Sequence, residues 1–340
     1  MFPRRMARLR KTRIVGHCRD DGIIPASRPL PSDQPAGTSA ATETLQYCAT
    51  MTQRSPCKPA EHPRPVTLPS PPRAAPAPPL LGPDDPPPVT VLRPESDSPV
   101  LLLCDHASRA IPKALGTLGL DEANLCRHIA YDIGAAEVTR RLSERFGATA
   151  VLSGYSRLVI DPNRALDDPT AIPVVSDDVV IPGNRALDRA EEERRIDAIF
   201  RPYHEAVAAE VARRRERGQV PVLLSIHSFT PAMRGVARPW HVGILWDHDP
   251  RIPIPMIARL RADGRWCVGD NEPYSGRTTL GGTVESHATP AGLPNVLVEV
   301  RQDLIATPEG AELWATVLGD ALEPILADPG LYEIKLFPRE

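Results

Sequence analysis

Short continuous apolar runs alternate along this chain with longer stretches in which apolar residues recur every three or four positions, a pattern that predicts buried strands interleaved with amphipathic helices. The firmest strand is residues 100–104, Val-Leu-Leu-Leu-Cys, entered from Pro99 and left abruptly through Asp105, His106 and Ser108. Similar runs at 148–153, 157–160, 221–226, 242–246, 266–268 and 295–300 predict further strands, and order is expected to begin near 89–92. Asp121 can cap a helix running to Phe146, since Leu125, Ile129, Ile133, Leu142 and Phe146 repeat near helical spacing and Gly147 follows as a stop. His128 and Asp132, four apart, fall on one face of it. Asp188 and Glu191 form a capping box for a second helix, expected to kink at Pro202 and to stop at Gly218. Two more helices are expected over 255–262 and 308–326, and the Pro- and Gly-punctuated stretch 169–184 reads as a long excursion near a site. Strands alternating with helices predict an α/β fold, a three-layer sandwich around a mixed, mostly parallel sheet.

Two of these strands end in a histidine, His106 and His227, and a third carries Glu299 inside an apolar run. Packing alone accounts poorly for that coincidence, because ionised carboxylates are almost never buried unpaired. In open α/β sheets ligands bind beyond the carboxyl ends of the strands, so the three residues read as one site. A catalytic zinc takes about three protein ligands and leaves one position for water. His106 and His227 supply two; Asp105, His128 and Asp132 are the candidates for the third, with Asp132 preferred because its carboxylate lowers the charge of the site. Each has a plainer reading: a structural histidine at 106 or 227, a carboxylate at 132 that orients a ligand histidine, a wet edge-strand position at 299.

Composition narrows the picture. Half of the chain's 40 prolines precede residue 95, and residues 1–85, rich in Pro, Ala, Ser and Arg without sustained periodicity, are expected to be a disordered extension. That leaves a catalytic domain over 86–330 and a C-terminal tail over 331–340. A net charge of −3 argues against nucleic-acid binding, and no apolar run reaches the roughly 20 residues of a membrane span. Six cysteines without CxxC spacing exclude a Cys-rich zinc site and read as reduced thiols of a cytoplasmic protein.

Five segments in order, Ser98-Pro-Val-Leu-Leu-Leu-Cys-Asp-His-Ala-Ser108, His128-Ile-Ala-Tyr-Asp-Ile-Gly134, Tyr155-Ser-Arg-Leu-Val-Ile-Asp-Pro-Asn-Arg164, Ser225-Ile-His-Ser-Phe229 and Gly292-Leu-Pro-Asn-Val-Leu-Val-Glu-Val-Arg-Gln-Asp-Leu304, resemble the N-formylglutamate amidohydrolase family. The resemblance implies a zinc-exopeptidase-like fold and a metal-dependent hydrolase of amino-acid catabolism, histidine degradation in particular, releasing formate and glutamate from N-formyl-L-glutamate or cleaving a related N-acyl amino acid. Wider zinc carboxypeptidase relatives place a Glu three residues after the first histidine, where this chain has Arg109. Zinc is the expected metal, although another divalent transition metal suits the same ligands, and Glu299 is the expected general base. A dicarboxylate substrate calls for fixed cations: Arg164 or Arg157, with Asn163 beside them and Ser108, His287 and Arg301 as weaker candidates. The rival from another class is a non-catalytic binding module on the same fold.

Overall fold

The computed structural model describes residues 79–277 and 281–338, and the expected extension lies outside them up to residue 78. Packing already includes Leu80, which is buried with Leu118, Leu120 and Leu125, so the domain takes in residues ahead of the expected boundary at 86. At the other end Leu331 is buried and Lys335 N donates to Gly292 O, which ties down the expected tail.

In chain order the strands are β1 (Val89–Leu92), β2 (Val100–Cys104), β3 (Thr149–Ser153), β4 (Val175–Ser176), β5 (Val179–Val180), β6 (Val222–Phe229), β7 (Ala232–Met233), β8 (Val236–Ala237), β9 (Val242–Leu245), β10 (Val268–Asp270) and β11 (Asn295–Arg301). The helices are α1 (Glu122–Leu125), α2 (Ala135–Phe146), α3 (Arg189–Arg195), α4 (Arg201–Glu216), α5 (Pro253–Ala262), α6 (Thr283–His287) and α7 (Pro308–Leu326). Seven strands form one sheet in the order β1-β3-β2-β6-β11-β9-β10. Its four central members, β3, β2, β6 and β11, are parallel; β1 runs antiparallel at one side, and β9 with its parallel neighbour β10 runs antiparallel to β11 at the other. The sheet is therefore mixed and mostly parallel, as the sequence predicts, while β4–β5 and β7–β8 are separate two-stranded ribbons.

Both faces are covered, which is why β2 and β6 read as unbroken apolar runs rather than as alternating ones. Leu102, Leu224, Ile226, Val298 and Val300 share one core with Val138 and Leu142 of α2, Met256 of α5 and Trp314 and Leu318 of α7. The opposite parity, Leu101, Leu103, Val151 and Leu223, packs on Tyr203 and Val207 of α4 and on Ala288. The chain leaves β2 through α2 on the first face to reach β3, then returns through α4 on the second face to β6, on the other side of β2. This reversal separates the carboxyl ends of β2 and β6, the place where an open sheet offers a crevice.

Three expectations from periodicity are corrected. The helix expected from Asp121 to Phe146 is two, α1 and α2, divided at 126–134, so His128 and Asp132 do not share a helix face. The apolar spacing ran across the break because Leu125 and Ile129 pack in one core and Val138 and Leu142 in another. Gly134 makes the division obligatory: its φ is +83°, and a Cβ there would lie 2.2 Å from Ile305 O. The run 157–160 is buried but turns instead of pairing. The helix carrying Pro202 passes it through a π-helical segment, Ile196–Phe200, a wider turn that suits the missing proline N–H. Among the described residues Cys104 and Cys126 are free thiols. Among the described residues no helix is long and apolar enough to cross a membrane.

Candidate functional site

Strand register builds the site. His227 on β6 lies directly beside Glu299 on β11, and both share the parity of Leu223, so both side chains leave the sheet on the face covered by α4. Asp105 and His106 follow the end of β2, and Leu103 is already level with Ser225. Asp132 is brought in by the break between α1 and α2, its N–H donating to His106 O at 3.0 Å. Asp161 comes from the turn after β3, whose N–H is held by Ala171 O at 2.7 Å.

Asp132 Oδ2 sits between the two imidazoles, 2.8 Å from His227 Nδ1 and 3.3 Å from His106 Nδ1, and also accepts from Ser228 N at 3.2 Å. The far nitrogen of each ring is taken by another carboxylate: His227 Nε2 lies 2.8 Å from Asp105 Oδ2, and His106 Nε2 lies 2.7 Å from Asp161 Oδ1. Asp105 is itself saturated, accepting from Tyr203 OH at 2.8 Å, Ser225 Oγ at 2.9 Å and Thr283 Oγ1 at 2.5 Å. Burial opposes ionisation of Asp105, Asp132 and Asp161, yet the hydrogen bonds and charge of His227, Arg157 and His106 outweigh it and hold all three carboxyls below the usual range. The same carboxylates raise both histidines against their own burial. The pocket thus concentrates negative charge around two Nδ1 atoms.

That donor set fits a cation. His106, Asp132 and His227 are all buried, each offering a ligand atom within 4.8 Å of the others, and a carboxylate behind each far nitrogen is the arrangement that fixes the tautomer of a metal-binding histidine. Of the alternatives for a third ligand, Asp105 stands behind His227. His128 Nδ1 lies 3.6 Å from Asp132 Oδ1 without a hydrogen bond, and burial, with Arg157 next, holds it down to about 3. Glu299 faces the same group, its Oε2 buried and, among the described residues, unpartnered. Its pKa is pushed up to about 7, chiefly by burial, close to where a general base works best.

These groups line a cavity of about 690 Å³ with Asn163, Arg164 and Tyr274. Arg157 also lines it, but its Nη2 holds Asp132 Oδ1 and His128 O, so the carboxylate it clamps is the protein's own. Arg164 donates to Asn163 O at 2.9 Å, and Asn163 Oδ1 accepts from Thr283 N at 2.9 Å. The other three substrate-binding candidates lie outside the cavity wall. Ser108 Oγ accepts from Ala110 N at 3.1 Å, His287 Nε2 meets His204 Nδ1 at 2.8 Å, and Arg301 is held by Asp303 and by the carbonyls of Arg238 and Trp240. Arg109, in the position of the carboxypeptidase glutamate, faces outward and pairs with Glu122. Sequence reasoning missed Asp161 as a partner of His106, although it lies within a quoted motif, and missed Tyr203, Thr283 and Ser225 around Asp105. Only Ser225 carried a signal, two residues before His227 on the same strand face.

Comparison with known proteins places the chain in a family. The family model of N-formylglutamate amidohydrolase matches residues 98–306. Among solved structures, a gene product of Agrobacterium tumefaciens is 40% identical with a TM-score of 0.69, covering 72% of this chain and 99% of its own. An N-formylglutamate amidohydrolase from Ralstonia eutropha is 22% identical with a TM-score of 0.57, covering 70% of this chain and 97% of its own. No curated protein matches.

Proposed function

The chain belongs to the N-formylglutamate amidohydrolase family, and from that premise we propose that it is a metal-dependent hydrolase that converts N-formyl-L-glutamate to formate and glutamate. The observation that carries the reading is the buried triad His106, Asp132 and His227 facing Glu299, unpartnered among the described residues, at a cavity wall.

His106 and His227 would hold the metal through Nδ1, since Asp161 and Asp105 occupy their Nε2 atoms, and Asp132 would hold it through Oδ2. Zinc, or another divalent transition metal, supplies Lewis acidity that lowers the pKa of water and polarises a carbonyl. Glu299 Oε2 takes the proton of the attacking water as the new C–O bond forms at the formyl carbon, then returns it to the departing nitrogen as the C–N bond breaks. Arg164 and Asn163 hold the α-carboxylate, the guanidinium fork matching a carboxylate plane. Arg157 keeps Asp132 ionised and oriented. A cavity of about 690 Å³ lies within the usual range for ligands of drug size, which favours, as a second reading, a related amino acid bearing a larger acyl group.

The test measures bound metal and formate release from N-formyl-L-glutamate together. We expect near-stoichiometric metal in the wild type, loss of metal and activity in His227→Ala, and retained metal with a 10²- to 10⁴-fold fall in turnover in Glu299→Gln. Release of a different acyl acid and no formate would overturn the substrate but keep the chemistry. Metal-free wild-type protein that stays inactive after metal is added would overturn both and favour a binding module.

A further inference from the structure

Arg238 is nine-tenths buried and, among the described residues, has no carboxylate partner. Buried arginines are ordinarily paired, because a charge removed from water without a counter-ion is costly. The other large buried guanidiniums of the fold obey this: Arg195 meets Glu191 and Arg214 meets Glu210. Arg238 instead donates from Nη1 to Tyr274 OH at 3.0 Å and to Thr230 Oγ1 at 3.3 Å, contacts Met233 Sδ through Nη2, and lies over the rings of Phe229 and Tyr274.

The chemistry of those partners points outward. A guanidinium has no acceptor, so both hydroxyls must receive its protons and turn their own O–H groups elsewhere. Thr230, Met233 and Tyr274 all line the cavity that holds Glu299 and the His–Asp–His group. Among the described residues neither hydroxyl has an acceptor of its own. The cavity wall therefore presents two oriented O–H donors backed by one uncompensated positive charge, a cradle shaped for an anion.

We propose that Tyr274 and Thr230, charged from behind by Arg238, form the subsite for the side-chain carboxylate of the substrate, opposite in role to the α-carboxylate subsite at Arg164. Tyr274 and Thr230 touch the carboxylate; Arg238 is a positioning residue that acts through them. The inference rests on the amino-acid hydrolase reading above and adds the residue set that makes the enzyme select an acidic side chain. No bond is made or broken at this subsite, and the acidic substrate arrives already ionised at neutral pH.

The test compares N-formyl-L-glutamate with N-formyl-L-glutamine, which differ only in that carboxylate, on wild type, Tyr274→Phe, Thr230→Val and Arg238→Gln. The wild type should favour the glutamate compound. Tyr274→Phe and Arg238→Gln should each lower kcat/KM for it by 10- to 100-fold, mainly through KM, Thr230→Val by less, and each should lower the glutamine compound by a clearly smaller factor, because its carboxamide accepts from the same hydroxyls but carries no charge. Equal losses on both substrates, or a loss confined to kcat, would overturn the subsite. Calorimetric binding of L-glutamate and L-glutamine to the same metal-loaded proteins is the second readout, independent of turnover. If the wild type releases no formate yet binds glutamate better than glutamine, and Tyr274→Phe abolishes the preference, the substrate reading falls and the subsite stands. Absence of any preference in the wild type would sink the subsite alone.

Discussion

Asp105 is where the structure makes its sharpest quantitative demand, and Asp105→Asn is the perturbation that tests it. The carboxylate accepts four hydrogen bonds, two at Oδ1 from Tyr203 and Thr283 and two at Oδ2 from Ser225 and His227. An amide of the same shape keeps one acceptor and replaces the other by a donor. The hydroxyls of Tyr203 and Thr283 can turn round and accept from it, whereas His227 needs an acceptor at Nε2 if Nδ1 is to face the metal. The amide oxygen must therefore remain on the His227 side. Bonds to a charged acceptor contribute about 1.5–3 kcal/mol against about 0.5–1.5 for neutral ones. Losing the charge across this network should cost about 2–4 kcal/mol of stability, and the weaker hold on the imidazole should cost 10- to 100-fold in metal affinity. Urea titration of the metal-free protein reads the first quantity, and competition against a chelator of known affinity reads the second. Asp105→Ala, which strands all four donors, should do worse on both. If Asp105→Asn binds metal within twofold of wild type, Asp105 does not orient His227, and the assignment of Nδ1 as the ligand atom fails with it.

Gly134→Ala should destabilise the fold by at least about 3 kcal/mol, since the side chain would enter a left-handed backbone position and collide with Ile305 O; it should also weaken metal binding by moving Asp132, two residues away, and a variant of normal stability by denaturant titration would contradict this. The half-buried pair His204 and His287 sets a pH dependence. Burial lowers both pKa values, that of His287 to about 4, so the unfolded chain takes up protons first as the pH falls. The contribution is fully present above about 6.5 and is lost as pH drops through about 4. Because the pair keeps some solvent contact, the loss should be on the order of 1–2 kcal/mol, and His287→Gln should flatten the difference between denaturant midpoints at pH 7 and pH 4.5; an unchanged difference would refute the coupling.

How much of this was legible beforehand depends on the range of the interaction that fixes each part. The sheet was readable because each central strand is buried on both faces, which forces an unbroken apolar run in local sequence, and α7 was readable to its ends at Pro308 and Leu326 because its caps are local too. His106, His227 and Glu299 stood out for the same reason, as polar residues interrupting or ending such runs. The break at Gly134 was hidden because periodicity records that residues are buried and not which core buries them. What no local pattern announces is the surround of each ligand: Tyr203 lies 98 residues from Asp105 and Thr283 lies 178, and their pairing exists only once α4 and α6 have closed over the sheet.

The same distinction explains why the arginines were harder to read than the histidines. Arg157, Arg164, Arg238 and Arg301 all lie near strand ends or turns, and sequence offers no way to tell which already owns an acceptor. The structure separates them by partner: Arg157 is matched to Asp132, Arg301 to Asp303, and Arg164 is drawn to a backbone carbonyl. Arg238 alone of the four is buried against hydroxyls and aromatic faces without an acid. A long flexible cation acquires its meaning from what it is not paired with, and that is a property of the folded cavity. The histidines instead sit at positions where the sheet leaves them one direction to point. Selectivity for an acidic substrate would then reside in the residues flanking the β7–β8 ribbon, Thr230 just past the end of β6 and Arg238 just past β8, and in the segment before α6 that carries Tyr274. Substitutions at Tyr274 and Thr230 can change which amino acid is accepted while the metal ligands and Glu299 stay in place.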